Sequence, residues 1–152
     1  MDNFKKKKSR GVGRTLTKQV TQDPNDSTNE LIDSSELIAH LKKKVTQAEI
    51  WECPLEFLGD ILQLAGIVHQ GIVLTMEDGK KYIVHKLPSG CNDGGGDAVV
   101  SKASNMGKHW SFVRRKDIRT AKLEDYLEKC GDRYDTVTDN CLHAVARMWS
   151  LQ

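Results

Sequence analysis

A chain of 152 residues, 38% hydrophobic and 29% charged, suits one domain with a single core and a short extension. No apolar run approaches the ~18–20 residues of a membrane-spanning helix, and the N-terminal lysines precede no apolar stretch that would make a secretory signal. The net charge of +2 conceals an asymmetry: residues 1–20 carry seven basic side chains against Asp2, a net +6, which leaves −4 for residues 21–152.

Residues 1–30 lack apolar periodicity and run into TQDPNDSTNE, so they read as a mostly disordered basic tail ahead of a single domain over residues 31–152. Lys5, Lys6, Lys7, Lys8, Arg10 and Arg14 make that tail a candidate arm for an anionic partner, a membrane surface or RNA. It could equally be a nuclear import signal or a solubilising segment. The pattern over residues 33–45 predicts a helix capped by Asp33 or Ser34, with Leu37, Ile38, Leu41 and Val45 on one face and lysines 42–44 at its C-terminal end. Pro54 breaks the chain before LEFLGDILQLAG, which reads as a strand or a turn leading into one. VHQGIVLT and KYIVHKL, flanking MEDGK, form the strongest hairpin signal in the chain. SGCNDGGGD is a loop; no Gly-Lys-Ser/Thr follows it, so its glycines are not a phosphate cradle. AVV (98–100) and HWSFVRR (109–115) are candidate strands. Residues 120–130 predict a helix with Leu123, Tyr126, Leu127 and Cys130 on one stripe, ended by Gly131. NCLHAVARMWS is a last helix capped by Asp139 or Thr138. Helix, sheet, helix and helix in that order predict an α+β domain.

Cys141 falls in the first turn of that last helix, where unpaired backbone N–H groups favour thiolate over thiol and could stabilise an oxyanion. The competing reading is a small buried hydrophobe. Cys130 lies on an apolar stripe and reads as core, Cys53 precedes a proline, and Cys91 sits in the glycine-rich loop. Neither a CxxC spacing nor a zinc-like histidine pair occurs, so no metal site and no cofactor are predicted. Without an export signal the four thiols read as reduced and the protein as cytoplasmic, with peripheral membrane attachment or nuclear entry open to the tail.

Five histidines are available to a Cys141 nucleophile. His143 lies about 200° further around the same helix and points away. His40, beside the lysines, reads as solvated, and His109 as core or rim. His69 and His85 depend on the hairpin turn. A two-residue Asp78-Gly79 turn sends them to opposite faces. A three-residue Glu77-Asp78-Gly79 turn, with Gly79 in the left-handed conformation, pairs Met76 with Lys80. That register sets His85 opposite Gly71, on the face of His69 and diagonal to it. Gly71 then leaves space beside the imidazoles.

LGDILQLAGIVHQGIVL, YIVHKLPSG and YDTVTDNCLHAV resemble three consecutive blocks of the lecithin:retinol acyltransferase-like family, especially its HRAS-like suppressor phospholipase/acyltransferase branch. The resemblance covers roughly residues 55–149 and rests on Gly59-Asp60, the two strand histidines, and Asn140, Cys141 and His143. It implies a circularly permuted NlpC-type papain-like domain, an antiparallel sheet with the nucleophile helix packed against it. It further implies Cys141 as nucleophile, His69 as general base, His85 as the orienting third residue, and Asn140 and His143 as motif support. Members attack an ester carbonyl of a phospholipid or other acyl donor, form a thioester, and pass the acyl group to water, an amine or an alcohol. This chain departs in three ways. Gln70 stands where an aromatic commonly follows the first histidine, the two histidines are sixteen residues apart, and no hydrophobic anchor follows Cys141 in the eleven residues given.

The same histidine-box and Asn-Cys pattern is similar to picornavirus 2A proteins of the H-box/NC type, many of which bind host proteins or RNA. The basic tail and the terminal Ser150-Leu151-Gln152 suit that alternative. NC-type thiol peptidases are a third possibility.

Overall fold

The computed structural model describes residues 15–16, 32–54, 68–88, 96–133, 135 and 139–152. In chain order they form β1 (Thr15–Leu16), α1 (Ser34–His40), β2 (Val45–Pro54), β3 (Val68–Met76), β4 (Lys81–Pro88), β5 (Gly96–Lys102), β6 (Ser111–Asp117), α2 (Leu123–Cys130) and α3 (Cys141–Trp149). The architecture is α+β. Five antiparallel strands lie in the order β5-β4-β3-β2-β6, and β1 adds two residues parallel to β5, Thr15 beside Ala98 and Leu16 beside Val99. That pair falls within the stretch read as disordered from sequence.

Alternation along the strands gives the sheet two different faces. On one, Ile50, Ile72, Leu74, Tyr82, Val84 and Val100 pack with Leu123, Tyr126 and Leu127 of α2 and Ala144, Val145 and Met148 of α3. This is the main core, and it explains why both helices carry apolar stripes. On the other face a smaller cluster joins Cys53, Val73, Ile83 and Trp110, with Trp51, Ala103 and Met106 against it. The predicted stripe of α2 is observed in full, since Leu123, Tyr126, Leu127 and Cys130 are all buried. Gly131 ends the helix at φ +79°.

The N-terminal helix is shorter than its periodicity predicts. Asp33 does cap it, accepting from the Glu36 amide at 2.9 Å, but it stops at His40. Val45 belongs instead to β2, a strand the helical spacing had hidden. The Val45 amide donates to Ala121 O at 2.9 Å, and β2 then pairs with β3 on one side and β6 on the other. Two flanking ladders outweigh one further turn of an isolated helix. Ile38, assigned to the apolar face, is 69% exposed.

His40 is also corrected. It is buried, with Nδ1 2.9 Å from Glu36 O and Nε2 2.8 Å from Asp78 Oδ2, and its ring meets Tyr82 edge-on. Lys43 reaches the same Asp78 oxygen at 2.8 Å. Hydrogen bonds from Lys43 first, and then from the Lys80 amide and His40, hold the Asp78 carboxyl well below its usual range. This cluster fastens α1 to the turn of the β3–β4 hairpin.

Candidate active site at the open end of the β3–β4 hairpin

The hairpin adopts the three-residue turn. Gly79 has φ +85°, its amide donates to Met76 O at 2.9 Å, and the Met76 amide donates to Lys80 O at 2.8 Å. A left-handed residue closing the loop is what that turn requires, and glycine adopts it without steric cost. The register follows: Gly71 lies opposite His85, with Ile72 opposite Val84. His69 and His85 therefore project from one face, and His69 Nε2 lies 2.7 Å from His85 Nδ1.

Gly71 matters to this contact. A Cβ there would sit 2.9 Å from Ile83 Cδ1 and 3.2 Å from His85 Cβ. The missing side chain lets β4 seat Ile83 and His85 against β3. Both imidazoles are fully buried. Cys53 lies directly across from His69 on β2, and Trp110 sits edge-on to both rings, at 5.7 Å from His69 and 5.9 Å from His85.

Cys141 opens α3. The cap is Asn140, one residue later than predicted, and its side chain accepts from the amides of Leu142 at 2.9 Å and His143 at 3.3 Å. The Asn140 amide donates back to His143 Nδ1 at 3.2 Å. Asn140 and His143 thus shape the helix start, and His143 is exposed, away from the imidazole pair. Cys141 is 5% exposed and shares the buried stripe with Ala144, Val145 and Met148.

The thiol and the histidines belong to opposite faces of the sheet, and the Cys141 sulfur reaches the strand at Gln70, the residue after His69. The β3–β4 ladder ends at Gly71–His85, whereas β3 keeps its pairing with β2 down to Val68. Strand amides alternate in direction. Because Met76 donates toward β4, Gln70 also aims its amide at β4, past the last paired residue. That amide is taken by the sulfur of Cys141. The thiol therefore fills a place where β4 would otherwise have continued the ladder.

Electrostatics favour uncharged partners. Burial lowers the His69 pKa well below its ordinary value, and the neighbouring His85 lowers it further. Burial alone brings His85 down to about 4. Burial raises the Cys141 thiol, while the amides of Gln70, Leu142 and Cys141 itself pull in the other direction. These shifts favour a neutral thiol and two neutral imidazoles at neutral pH. His69 Nδ1 and His85 Nε2 have no hydrogen-bond partner among the described residues, Cys141 included. If His69 carries its proton on Nε2 and donates to His85 Nδ1, then His69 Nδ1 is left with a free lone pair and His85 carries its proton on Nε2.

On the helix-bearing face next to His85, Lys86 is fully buried, and its Nζ donates to Asp139 Oδ1 at 2.9 Å. Arg147 of α3 donates to the same oxygen at 2.9 Å and to the carbonyls of Lys129 and Cys130 that end α2. Burial pushes the Asp139 carboxyl up, but the two cations outweigh it and hold it below its ordinary value. The cluster ties β4 and α2 to the residue just before Asn140-Cys141. Cys130, in the same region, is pushed up to about 12 by burial, in keeping with a core thiol.

Cys141, His69, His85, Asn140 and His143, the domain residues expected at the site, all fall at this end of the sheet. Trp110, Lys86, Asp139 and the Gln70 amide join it unexpectedly. Lys86 continues the apolar alternation of Tyr82 and Val84 in KYIVHKLP, which is a local signal for its burial; the other three have no local signature. The basic tail residues Lys5, Lys6, Lys7, Lys8, Arg10 and Arg14, together with Gly59, Asp60 and Cys91, lie outside the described residues. No group of three or more His, Cys, Asp or Glu among the described residues is placed to hold a metal ion. No helix among them is long and apolar enough to cross a membrane.

Compared with protein-family models, curated proteins and solved structures, the chain matches none.

Proposed function

We propose that this domain is a thiol acyltransferase or phospholipase A-like hydrolase of permuted NlpC/papain-like type, acting on lipid esters through a thioester on Cys141. The observation that carries the reading is the His69 Nε2–His85 Nδ1 contact of 2.7 Å, which leaves His69 Nδ1 unbonded and buried, one residue along the strand from the Gln70 amide that meets the Cys141 sulfur. In this mechanism His69 Nδ1 accepts the thiol proton as sulfur attacks the ester carbonyl, and His85 Nδ1 accepts from His69 Nε2–H and steadies the imidazolium. The amides of Gln70 and Cys141, already directed at the sulfur, stabilise the developing oxyanion. Collapse breaks the ester C–O bond, and His69 returns its proton to the departing alkoxide. Water, an amine or an alcohol then loses a proton to His69 and attacks the thioester, which regenerates the thiol. The basic tail would hold the domain at an anionic membrane surface.

The test is reaction with an electrophilic thiol probe near neutral pH, together with turnover of a phospholipid. Cys141 should label faster than Cys91, and Cys141→Ala and His69→Gln should each abolish turnover. Equal labelling with turnover unchanged in Cys141→Ala would sink the reading. The burial of Cys141 at 5% exposure favours a second reading, a non-catalytic H-box/NC module that binds host proteins or RNA. In that case the thiol stays inert and removal of residues 1–20 weakens RNA binding in a salt-dependent way.

A further inference from the structure

We infer that Trp110 is a positioning residue for the site, a lid whose indole keeps the His69–His85 pair dry and fixes the plane in which the two rings meet. The inference rests on the proposed reading for its consequence, but its observations are independent. Trp110 comes from neither histidine strand. It stands just before β6, after a turn in which its amide donates to Gly107 O at 3.3 Å. Its ring is inclined 70° to His69 and 84° to His85, while the imidazoles are inclined 73° to each other. Three rings in mutual edge-to-face contact leave each imidazole one way to lie.

The indole is itself anchored. It is 7% exposed and belongs to the cluster of Cys53, Val73 and Ile83, with Trp51, Ala103 and Met106 packed around it. Its neighbours on that face bring no charge to either ring. From β2, Cys53 lies across from His69. Glu49 lies further along β2, where Trp51 Nε1 donates to it at 2.9 Å and Arg115 Nε approaches at 3.4 Å. Burial is the leading cause of the lowered imidazole pKa values, and from outside the hairpin Trp110 brings an aromatic ring to 5.7 Å from His69 and 5.9 Å from His85.

The chemical consequence is specific. A base that must accept a proton at neutral pH has to rest neutral with a lone pair aimed at the thiol. Water admitted above the rings would solvate them and return their pKa toward the ordinary 6.5, so that the imidazolium, which cannot act as a base, would form at a higher pH.

The test is an NMR titration of the imidazole Cε1–H resonances in the full chain, in wild type, Trp110→Phe and Trp110→Ala. In wild type both buried rings should titrate well below 6.5, His85 near 4. Trp110→Phe keeps an aromatic cover and should titrate like wild type. Trp110→Ala should bring at least one ring to within one pH unit of 6.5, and the low-pH limb of any turnover profile should move up with it. If Trp110→Ala does not fold, Trp110→Leu replaces it with the same expected direction. Wild-type titration in the alanine or leucine variant, or an equal shift in Trp110→Phe, overturns the inference. Because the titration needs no substrate, absence of lipid turnover in wild type would refute the proposed activity and leave this result standing.

Discussion

Acidification should destabilise this fold well above the pH at which carboxylates titrate, and the size of the effect can be worked from the histidine pair. His85 is fully buried, and its pKa falls from 6.5 to about 4 on folding, so the unfolded chain binds the proton that the folded chain refuses. Stability then rises with pH across that window, is fully present above about 6.5, and is lost as the pH falls toward 4. At about 1.4 kcal/mol for each pH unit of pKa difference, His85 alone accounts for about 3 kcal/mol in total, and about 2 kcal/mol is already lost at pH 5. His69 acts in the same direction, and the two titrate as a coupled pair. Asp33, Asp78 and Asp139 also have lowered pKa values, but their contribution disappears only below the carboxylate range. Urea unfolding at pH 7.5 and pH 5, read by far-UV circular dichroism, separates the two windows. The wild type should lose at least about 2 kcal/mol between them, a large share of a typical stability of ~5–15 kcal/mol. A His69→Gln/His85→Gln double variant should be nearly flat over the same interval. Equal wild-type stability at the two pH values would refute the argument, because it would mean that the imidazoles are hydrated or charged in the folded protein.

Two further substitutions probe how the site is held. Gly71→Ala places a methyl 2.9 Å from Ile83 Cδ1 and 3.2 Å from His85 Cβ. It should cost about 1–3 kcal/mol in chemical denaturation and disturb the His69–His85 contact, whereas wild-type stability would mean β4 can move aside freely. Asp139→Asn leaves the buried Lys86 ammonium beside Arg147 without its carboxylate, and should cost about 2–3 kcal/mol, somewhat below a fully buried pair because Asp139 is partly exposed. Lys86→Met removes the buried charge with its partner still solvated and should cost less. Thermal melts giving the reverse order would show that Lys86 has other acceptors.

Several features were legible from local chemistry. That the turn would decide whether His69 and His85 share a face was legible, because the side-chain period of a strand is two, but sequence left the two-residue and three-residue turns both open and the structure adopts the latter. The stripe of α2 and the position of Cys141 in the first turn of α3 followed from the helical period and from a capping residue just before it. The cap itself was placed one residue too early, because Thr138, Asp139 and Asn140 are all good caps and only the chain path chooses among them.

What local chemistry could not decide was set by partners distant in sequence. Val45 has helical spacing from Leu37 and Leu41, yet it opens β2, paired with Met76 of β3, because β3 and β6 supply ladders for the strand that follows it. His40, flanked by lysines, is buried because the hairpin turn delivers Asp78 to it. Trp110 reached the histidines, Lys86 reached Asp139, and Cys141 found the free Gln70 amide only when strands and helices from different parts of the chain had docked. Sequence by itself therefore determined which residue types were available for the chemistry and the two registers that the hairpin could take; the structure selected the one that pairs the histidines. Tertiary packing decided which of them are dry, which are charged, and which face one another, since burial and long-range pairing are properties of the assembled sheet and not of any one segment.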